Sequence, residues 1–249
     1  NSLLRRIMSL SLGLGASSSS YVSEFLPTDI SNLSLWLQNG VGIAAEREKW
    51  TDSSGNNNHA LQSNDDNKAS AISGGGLVLG NGVESFYNLT SSIAITQRQG
   101  FCFAYVAQNT ATSNNTLFSD SSNEIVKVVN NAKLNIKTNA PSNVSTELTF
   151  SAGTLGQAKE LILVNRTLGT PATYTVFKNG NSVTIDGDNS VNLTNSNGFD
   201  FDTLFADTVP SSPANFYSGT VFELLFFSQG LSSSEISNLN DYLTSKHGL

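Results

Sequence analysis

The sequence has one cysteine, one methionine, five prolines and few charged residues among its 249 positions. A single cysteine, Cys102, excludes a disulfide within the chain. Its apolar setting in "FCFAYVA" indicates a buried thiol and not a reactive one. Only 13% of the residues are charged, and the net charge is -7. Because phosphate binding needs clustered positive charge, the composition argues against a nucleic-acid partner.

Long apolar segments are also lacking, which excludes a conventional membrane span. Such a span needs about 20 consecutive apolar residues. The nearest candidate, residues 7–16, is far shorter and is interrupted by Ser and Gly. We therefore predict no membrane insertion. The abundance of Ser, Thr, Asn and Gly instead indicates many turns and a neutral polar surface, as in many extracellular and virion β proteins.

The first 24 residues differ in composition from the rest of the chain. They combine Arg5 and Arg6 with a Leu/Ser/Gly stretch and four consecutive Ser, without helix or strand periodicity. The stretch resembles a poor signal peptide. We interpret residues 1–24 as an attachment arm that binds a partner protein, with the two arginines at the rim of the partner's groove. The apolar residues predicted to enter that groove are Leu3, Leu4, Ile7, Met8 and Leu10. The alternative is a tail folded over its own domain.

Residues 25–249 are predicted to form one all-β domain. Short runs rich in β-branched and aromatic residues, such as "FCFAYVAQ" and "ELILVNR", alternate with Gly, Asn and Ser clusters. "VFKNGNSVTI" predicts a hairpin, because Asn179 and Gly180 both tolerate the positive φ of a type I′ turn. "VFELLFF" is almost continuously apolar, which is typical of a strand buried on both faces. These features favour an antiparallel two-sheet sandwich.

One helix is predicted at the C-terminus. Ser232 and Glu235 form a capping-box pattern, and Ile236, Leu239 and Leu243 follow at helical spacing. The helix is short and has a single apolar stripe, so we expect it at the edge or the end of the sandwich.

Four stretches resemble parts of concanavalin A-like, LamG-type jelly-roll domains. They are "LSLWLQNG" with "KWTDSSGNNNHALQ" near the start, "YTVFKNGNSV" as a strand–turn–strand unit, and the closing "YSGTVFELLFFSQGLSSSEISNLNDYLTSKHG". The resemblance extends in order over Pro27–Leu249. It implies an antiparallel jelly-roll sandwich, but the fold hosts lectins, glucanases, adhesion modules and virion proteins, so it does not imply one function.

The stretch from Trp50 to Gln62 gathers Asp, Asn and His, which fits either a metal or catalytic loop or a structural corner. The resemblance implies the structural corner. Trp50 would then fill the core, with Trp36 in or beside it. Asp52 would accept backbone N–H groups of its own turn, and Gly55 would adopt a positive φ.

A glycoside hydrolase needs paired carboxylates, and the sequence contains no Glu-x-Asp of the kind found in retaining glucanases of this fold. Glu46 and Glu48 lie in a charged loop. Asp200 and Asp202 share one strand face without a neighbouring glutamate in sequence. No Ser-His-Asp order is apparent either. We therefore predict that the protein is not an enzyme.

No cofactor or metal site is predicted. "DGDNS", residues 186–190, begins like a calcium loop, but position six of an EF-hand would be Val191 instead of Gly. "NDDN", residues 64–67, is a second acidic loop. A weakly bound surface calcium ion at either loop stays open.

Two functions fit these observations. The first is a structural protein of a bacteriophage virion, of the decoration, fibre or appendage type. Its arm would bind a capsid or tail protein within an oligomeric assembly, and its jelly roll would face outward at the virion surface. The second is a secreted or cell-surface carbohydrate-binding module of the adhesin or lectin type. The two are compatible, because a virion appendage can bind host surface glycans.

Overall fold

The computed structural model describes residues 24–80, 82–96, 99–111, 114–121, 124–138, 144–168, 173–188, 198–209 and 212–249. Residues 1–23 lie outside this set, and with them nearly all of the predicted attachment arm.

The described residues form nineteen strands, two short 3-10 helices and one α-helix. The strands are β1 (Leu33–Leu37), β2 (Lys49–Trp50), β3 (Ala60–Leu61), β4 (Ala71–Ser73), β5 (Gly76–Leu79), β6 (Tyr87–Ile95), β7 (Phe101–Asn109), β8 (Asn115–Ser119), β9 (Ile125–Asn130), β10 (Lys133–Thr138), β11 (Val144–Thr149), β12 (Lys159–Thr167), β13 (Thr173–Lys178), β14 (Asn181–Val183), β15 (Gly187–Asp188), β16 (Phe199–Leu204), β17 (Asp207–Val209), β18 (Ser212–Ala214) and β19 (Gly219–Phe227). The helices are Pro27–Asp29, Asp65–Asn67 and α1 (Ser233–His247).

Most strands form two antiparallel sheets, which confirms the predicted two-sheet sandwich. In the described part of the chain, the first sheet has the order β14-β13-β12-β7-β19-β5-β4, with β1 also paired to β19. The second sheet has the order β15-β11-β10-β9-β8-β16-β6-β3-β2. Strands β17 and β18 pair separately. Non-consecutive neighbours such as β7 and β19 give the jelly-roll topology.

Aromatic side chains fill the space between the sheets. Phe118 from β8, Phe201 from β16 and Phe226 from β19 have no exposed surface. The ring centroids of Phe118 and Phe201 are 4.7 Å apart, and those of Phe201 and Phe226 are also 4.7 Å apart. Contact at this distance stabilises both sheets beyond simple burial of area. Residues from both sheets therefore build one continuous core.

The first sheet is also covered on its outer face. Alternate residues of its central strands, such as Ala104 and Leu163, pack against Leu239 and Leu243 of α1 in a second apolar cluster. This explains why β7 and β19 are apolar along nearly their whole length. The predicted helix is confirmed, with both halves of its capping box formed and Gly248 at the C-cap. However, it lies on the sheet face and not at an edge or end, because its apolar stripe matches the apolar outer face of the sheet.

A bulge in β19 places two residues in succession on that outer face. The pairing of β19 with β7 shifts between Val221 and Glu223. Val221 and Leu224 belong to the core between the sheets, whereas Phe222 belongs to the outer cluster. Glu223 bonds with side chains of α1 on the same side. The bulge therefore turns a carboxylate toward the helix.

Candidate functional site

The Trp50–Gln62 stretch forms a corner in which Asp52 bonds to backbone. Trp50 has no exposed surface and belongs to the core between the sheets. The Asp52 carboxylate accepts backbone N–H groups of Ser54 at 2.9 Å and of Asn58 at 3.0 Å, both within its own turn. It also accepts the N–H of Trp36 in β1 at 2.9 Å. The corner is therefore tied to the neighbouring strand as well as to itself.

The remaining polar groups of the corner are used in the same way. The backbone N–H of Asp52 donates to Nδ1 of His59 at 3.1 Å. Gly55 has a φ of 93°, and the side chain of Asn56 donates to the carbonyl of Leu33 at 2.7 Å. Among the described residues, no group of three or more His, Cys, Asp or Glu side chains is arranged to hold a metal ion. The polar side chains of the corner thus bond to backbone groups of the protein, which is a structural arrangement.

A buried carboxylate joins α1 to the first sheet. Glu223 has no exposed surface. It accepts hydrogen bonds from Nε1 of Trp36 at 2.7 Å and from Nζ of Lys246 at 2.9 Å. Its Oε2 lies 2.7 Å from Nε2 of His247. The four side chains, from β1, β19 and α1, form what we call the Glu223 cluster, and Trp36 takes part in it on the outer face of the sheet.

The environment of Glu223 favours its charged form. Burial by itself would raise the pKa of this carboxyl. The hydrogen bonds from His247, Lys246 and Trp36, together with the charge of Lys246, outweigh burial and hold the pKa below its ordinary value. The cluster is thus an ionised, hydrogen-bonded link between the helix and the sheet at neutral pH.

A groove runs between α1 and strand β13, and we call it the α1–β13 groove. Its volume is about 350 Å³. Thr175 and Phe177 line it from the strand, and Ile236, Ser237 and Asn240 line it from the helix. Phe177 is half-buried, whereas Thr175 and Ser237 are exposed. The groove combines an accessible aromatic ring with hydroxyl and amide groups, so it offers a ligand both apolar contact and hydrogen bonds.

Two asparagines in the groove differ in how their amides are used. Asn165 on β12 is buried and bonds both ways to Leu231, donating at 3.2 Å and accepting at 2.7 Å. Asn240 is also buried, but its Oδ1 accepts no hydrogen bond from any described residue. A buried amide without a partner costs about 1–3 kcal/mol. Asn240 is therefore the group in the groove that most needs a further polar contact.

The predicted hairpin closes one end of this groove. Asn179 and Gly180 have φ values of 48° and 79°, the positive values that a type I′ turn requires. Asn179 also bonds to Leu161 on β12, accepting the backbone N–H at 2.8 Å through its side chain. Gly180 lines the groove. The turn thus fixes β13 beside the helix.

A second groove lies on the other side of α1, and we call it the α1–Phe25 groove. Its volume is about 520 Å³, and its walls include Phe25 from the N-terminal segment and Tyr242 from the helix. The two rings meet edge to face at 6.2 Å. Burial, followed by the charges of Glu223 and Glu24, raises the pKa of Tyr242 to about 12. Asp241 and Lys246 add opposite charges to the wall.

The fold brings a glutamate to Asp200 that sequence analysis did not anticipate. The buried Glu124 accepts a hydrogen bond from the backbone N–H of Asp200, and its own N–H donates to Asp120 at 2.9 Å. Burial, and then the charge of Asp120, raises the pKa of Asp200. Asp202 bonds to the hydroxyl of its neighbour Thr203 at 2.9 Å. The Glu124 carboxylate thus accepts a backbone N–H group, which is an arrangement typical of a structural side chain.

The two acidic loops considered for calcium also use their side chains locally. Asp65 pairs with Lys68 at 2.6 Å, and Asn64 accepts the backbone N–H of Asp66 at 3.1 Å. In the loop of residues 186–190, Asp186 accepts a hydrogen bond from Ser151 at 3.1 Å, whereas residues 189 and 190 lie outside the described residues.

Cys102 is fully buried, and burial raises the pKa of its thiol well above the ordinary value. Among the described helices, none has both the length and the apolar character needed to cross a membrane.

No protein-family profile and no curated protein sequence matches this chain. Solved structures do match. The receptor-binding domain of botulinum neurotoxin type G is 16% identical with a TM-score of 0.53, over 86% of this chain and 52% of that one. The binding domain of Paraclostridial Mosquitocidal Protein 1 is 12% identical with a TM-score of 0.55, over 88% and 53%. The binding domain of botulinum neurotoxin DC, solved with rat synaptotagmin II, is 13% identical with a TM-score of 0.51, over 88% and 53%.

The chain therefore spans about half the length of the solved domains that it resembles. At these identities the comparison shows a shared β-sandwich fold. The three structures are described as binding or receptor-binding domains, and the non-enzymatic character of this chain stays a prediction. The LamG-type relationship and the virion role stay predictions, because neither follows from these structures.

Proposed function

We propose that the protein is a non-enzymatic, lectin-like binding module that recognises carbohydrate in the α1–β13 groove. The observation that carries this proposal is the side chain of Asn240, a buried amide whose oxygen has no partner among the described residues, in a groove that also offers the ring of Phe177. Sugars present both an apolar ring face and hydroxyl groups, so a half-buried ring beside polar side chains suits them.

The similar solved structures add indirect support. Among the similar structures, one botulinum neurotoxin binding domain was solved with SialylT, and another belongs to a toxin whose cell entry depends on two ganglioside molecules. Those domains are about twice as long as this chain, so their ligands do not transfer to a particular groove here. They do show that this sandwich occurs in binding domains described with SialylT or ganglioside as the molecule bound.

A glycan array probed with the full chain tests the proposal. We expect binding to a defined group of glycans, and we expect loss of that binding in Ser237→Arg, which fills the α1–β13 groove. Ser245→Arg is the matched control, because it lies on the same helix beside the other groove. Both substitutions place an arginine four residues from Asp241, so any new ion pair with that residue is common to both.

The outcomes separate clearly. Loss in Ser237→Arg with retention in Ser245→Arg supports the α1–β13 groove. An array with no bound glycan, or equal binding by all three proteins, contradicts the proposal.

A second proposal concerns the arm: the protein is anchored in a bacteriophage virion through residues 1–24, which bind a capsid or tail protein. The composition of the arm supports it, with apolar residues around Arg5 and Arg6. So does the α1–Phe25 groove, because the chain enters the described domain at Glu24 beside this mixed aromatic and charged surface. A chain that begins at Glu24 should fold and still bind glycan but fail to join the particle. Unfolding of that chain would instead assign the arm to its own domain.

A further inference from the structure

We infer that the sugar recognised in the α1–β13 groove is a neutral hexosamine carrying an acetamido group. This inference rests on the proposed function and specifies its ligand. Three features of the groove point to this ligand: the amide of Asn240, the apolar floor around it and the charge of the residues that line it.

The amide of Asn240 matches an acetamido group in its hydrogen-bonding capacity. A side-chain amide carries two N–H donors and one carbonyl acceptor, and half a turn of its last bond exchanges the two ends. Neither end of the Asn240 amide bonds to a described residue in this structure. An acetamido group offers one N–H and one carbonyl. It can therefore satisfy the amide, whereas a hydroxyl group at the same ring position supplies a shorter and less complementary contact.

The floor of the groove suits the methyl group of the same substituent. Leu231 and Ile236 line the groove and are 3% and 7% exposed, so each presents only a small apolar area to a ligand. A methyl group placed there gains apolar contact without displacing a polar partner. The ring of Phe177 is a separate, larger surface for the apolar face of the sugar ring. An acetamido methyl and a pyranose face thus have distinct places to pack.

The charge of the groove selects against acidic sugars. Of the described residues that line it, the one charged residue is Asp241, and none is Lys or Arg. A carboxylate accepts hydrogen bonds from sugar hydroxyls, but it repels a second carboxylate such as that of a sialic or uronic acid. Thr175 and Ser237 add hydroxyls that donate or accept. A neutral sugar is therefore favoured over an anionic one.

The volume of the groove limits how much of a glycan it holds. At about 350 Å³ it lies near the lower end of the range for small-molecule sites. We expect one sugar ring to occupy it, with the rest of the glycan in solvent.

The test is a calorimetric titration of the full chain with the β-methyl glycosides of N-acetylglucosamine and of glucose. We expect N-acetylglucosamine to bind at least about tenfold more tightly, because its acetamido group adds hydrogen bonds to an amide that glucose leaves as it is in the free protein. Asn240→Leu should reduce that preference by about threefold to tenfold, the effect of one or two neutral hydrogen bonds. Its thermal midpoint should be equal to that of the wild type or higher, because a buried amide without a partner is removed.

Three results would overturn the inference. If both glycosides bind equally and Ser237→Arg abolishes both, the groove binds sugars but not through an acetamido group, and only the proposed function survives. Unchanged selectivity in a folded Asn240→Leu protein means that the amide is satisfied by solvent. If an N-acetylneuraminic acid glycoside binds more tightly than N-acetylglucosamine, the charge of the groove does not select against acidic sugars.

Discussion

Replacing Glu223 by Gln should destabilise the protein strongly. Glu223 has no exposed surface and receives bonds from Trp36, Lys246 and His247. A neutral amide accepts at one end only, so it turns an N–H group toward donors and leaves Lys246 without its counter-charge. Removing one partner from a buried ion pair costs about 3–5 kcal/mol. For a chain of this size that corresponds to a fall of roughly 6–20 °C in the midpoint of thermal unfolding.

The effect should depend on pH in a defined direction. The pKa of Glu223 is lowered in the folded protein. Its carboxylate therefore stabilises the fold fully above the unfolded value of about 4.3, and this contribution is lost as the pH falls through the folded pKa. The stability difference between wild type and Glu223→Gln should be largest near neutral pH. It should shrink as the pH falls to about 3.

Urea unfolding of the full chain, followed by circular dichroism at several pH values, measures this difference. Glu147→Gln is the matched control, because Glu147 pairs with Lys133 at 3.2 Å on a partly exposed surface. Such a pair contributes about 0–1 kcal/mol. A Glu223→Gln protein as stable as Glu147→Gln, or a difference that does not change with pH, would refute our account of the cluster.

Trp50, Cys102 and the strand carboxylates Asp200 and Asp202 each allow a further test. Trp50→Ala should cost about 3–5 kcal/mol, because the ring has no exposed surface, and an unchanged melting temperature would exclude Trp50 as a core anchor. Cys102 should not react with a thiol reagent at about pH 8 until the protein unfolds, because burial raises its pKa; rapid labelling of the native protein would contradict this. The full chain should not hydrolyse a β-glucan, and turnover that disappears in Asp200→Asn or Asp202→Asn would show that it is an enzyme.

Much of the fold could be predicted from the sequence because its signals are local. The Ser232–Glu235 capping box and the Asn179–Gly180 turn each depend on residues within four positions of one another. The continuous apolar run of β19 likewise indicated burial on both faces. The run could not indicate that α1 packs on the outer face of β19, because nothing in a sequence shows which of two distant apolar surfaces pack together.

The sites were less predictable, because they form between distant segments. Glu223 appeared in the sequence only as part of a closing strand motif, and its contact with Trp36 spans 187 positions. The bulge that turns it toward α1 has no local signal. The α1–β13 groove joins Phe177 to Asn240, and an asparagine in a helix of mixed composition gives no sign that its amide is buried.

The most direct test of carbohydrate binding in the α1–β13 groove is a methyl NMR titration of the full chain, labelled on isoleucine, with the glycan that the array identifies. Ile236 lines the groove, whereas Ile72 lies on β4 and is 42% exposed. We predict that the Ile236 methyl resonance shifts in a saturable manner while that of Ile72 stays constant. Saturable shifts at Ile72 with an unchanged Ile236, or no shift at either position, would contradict the account.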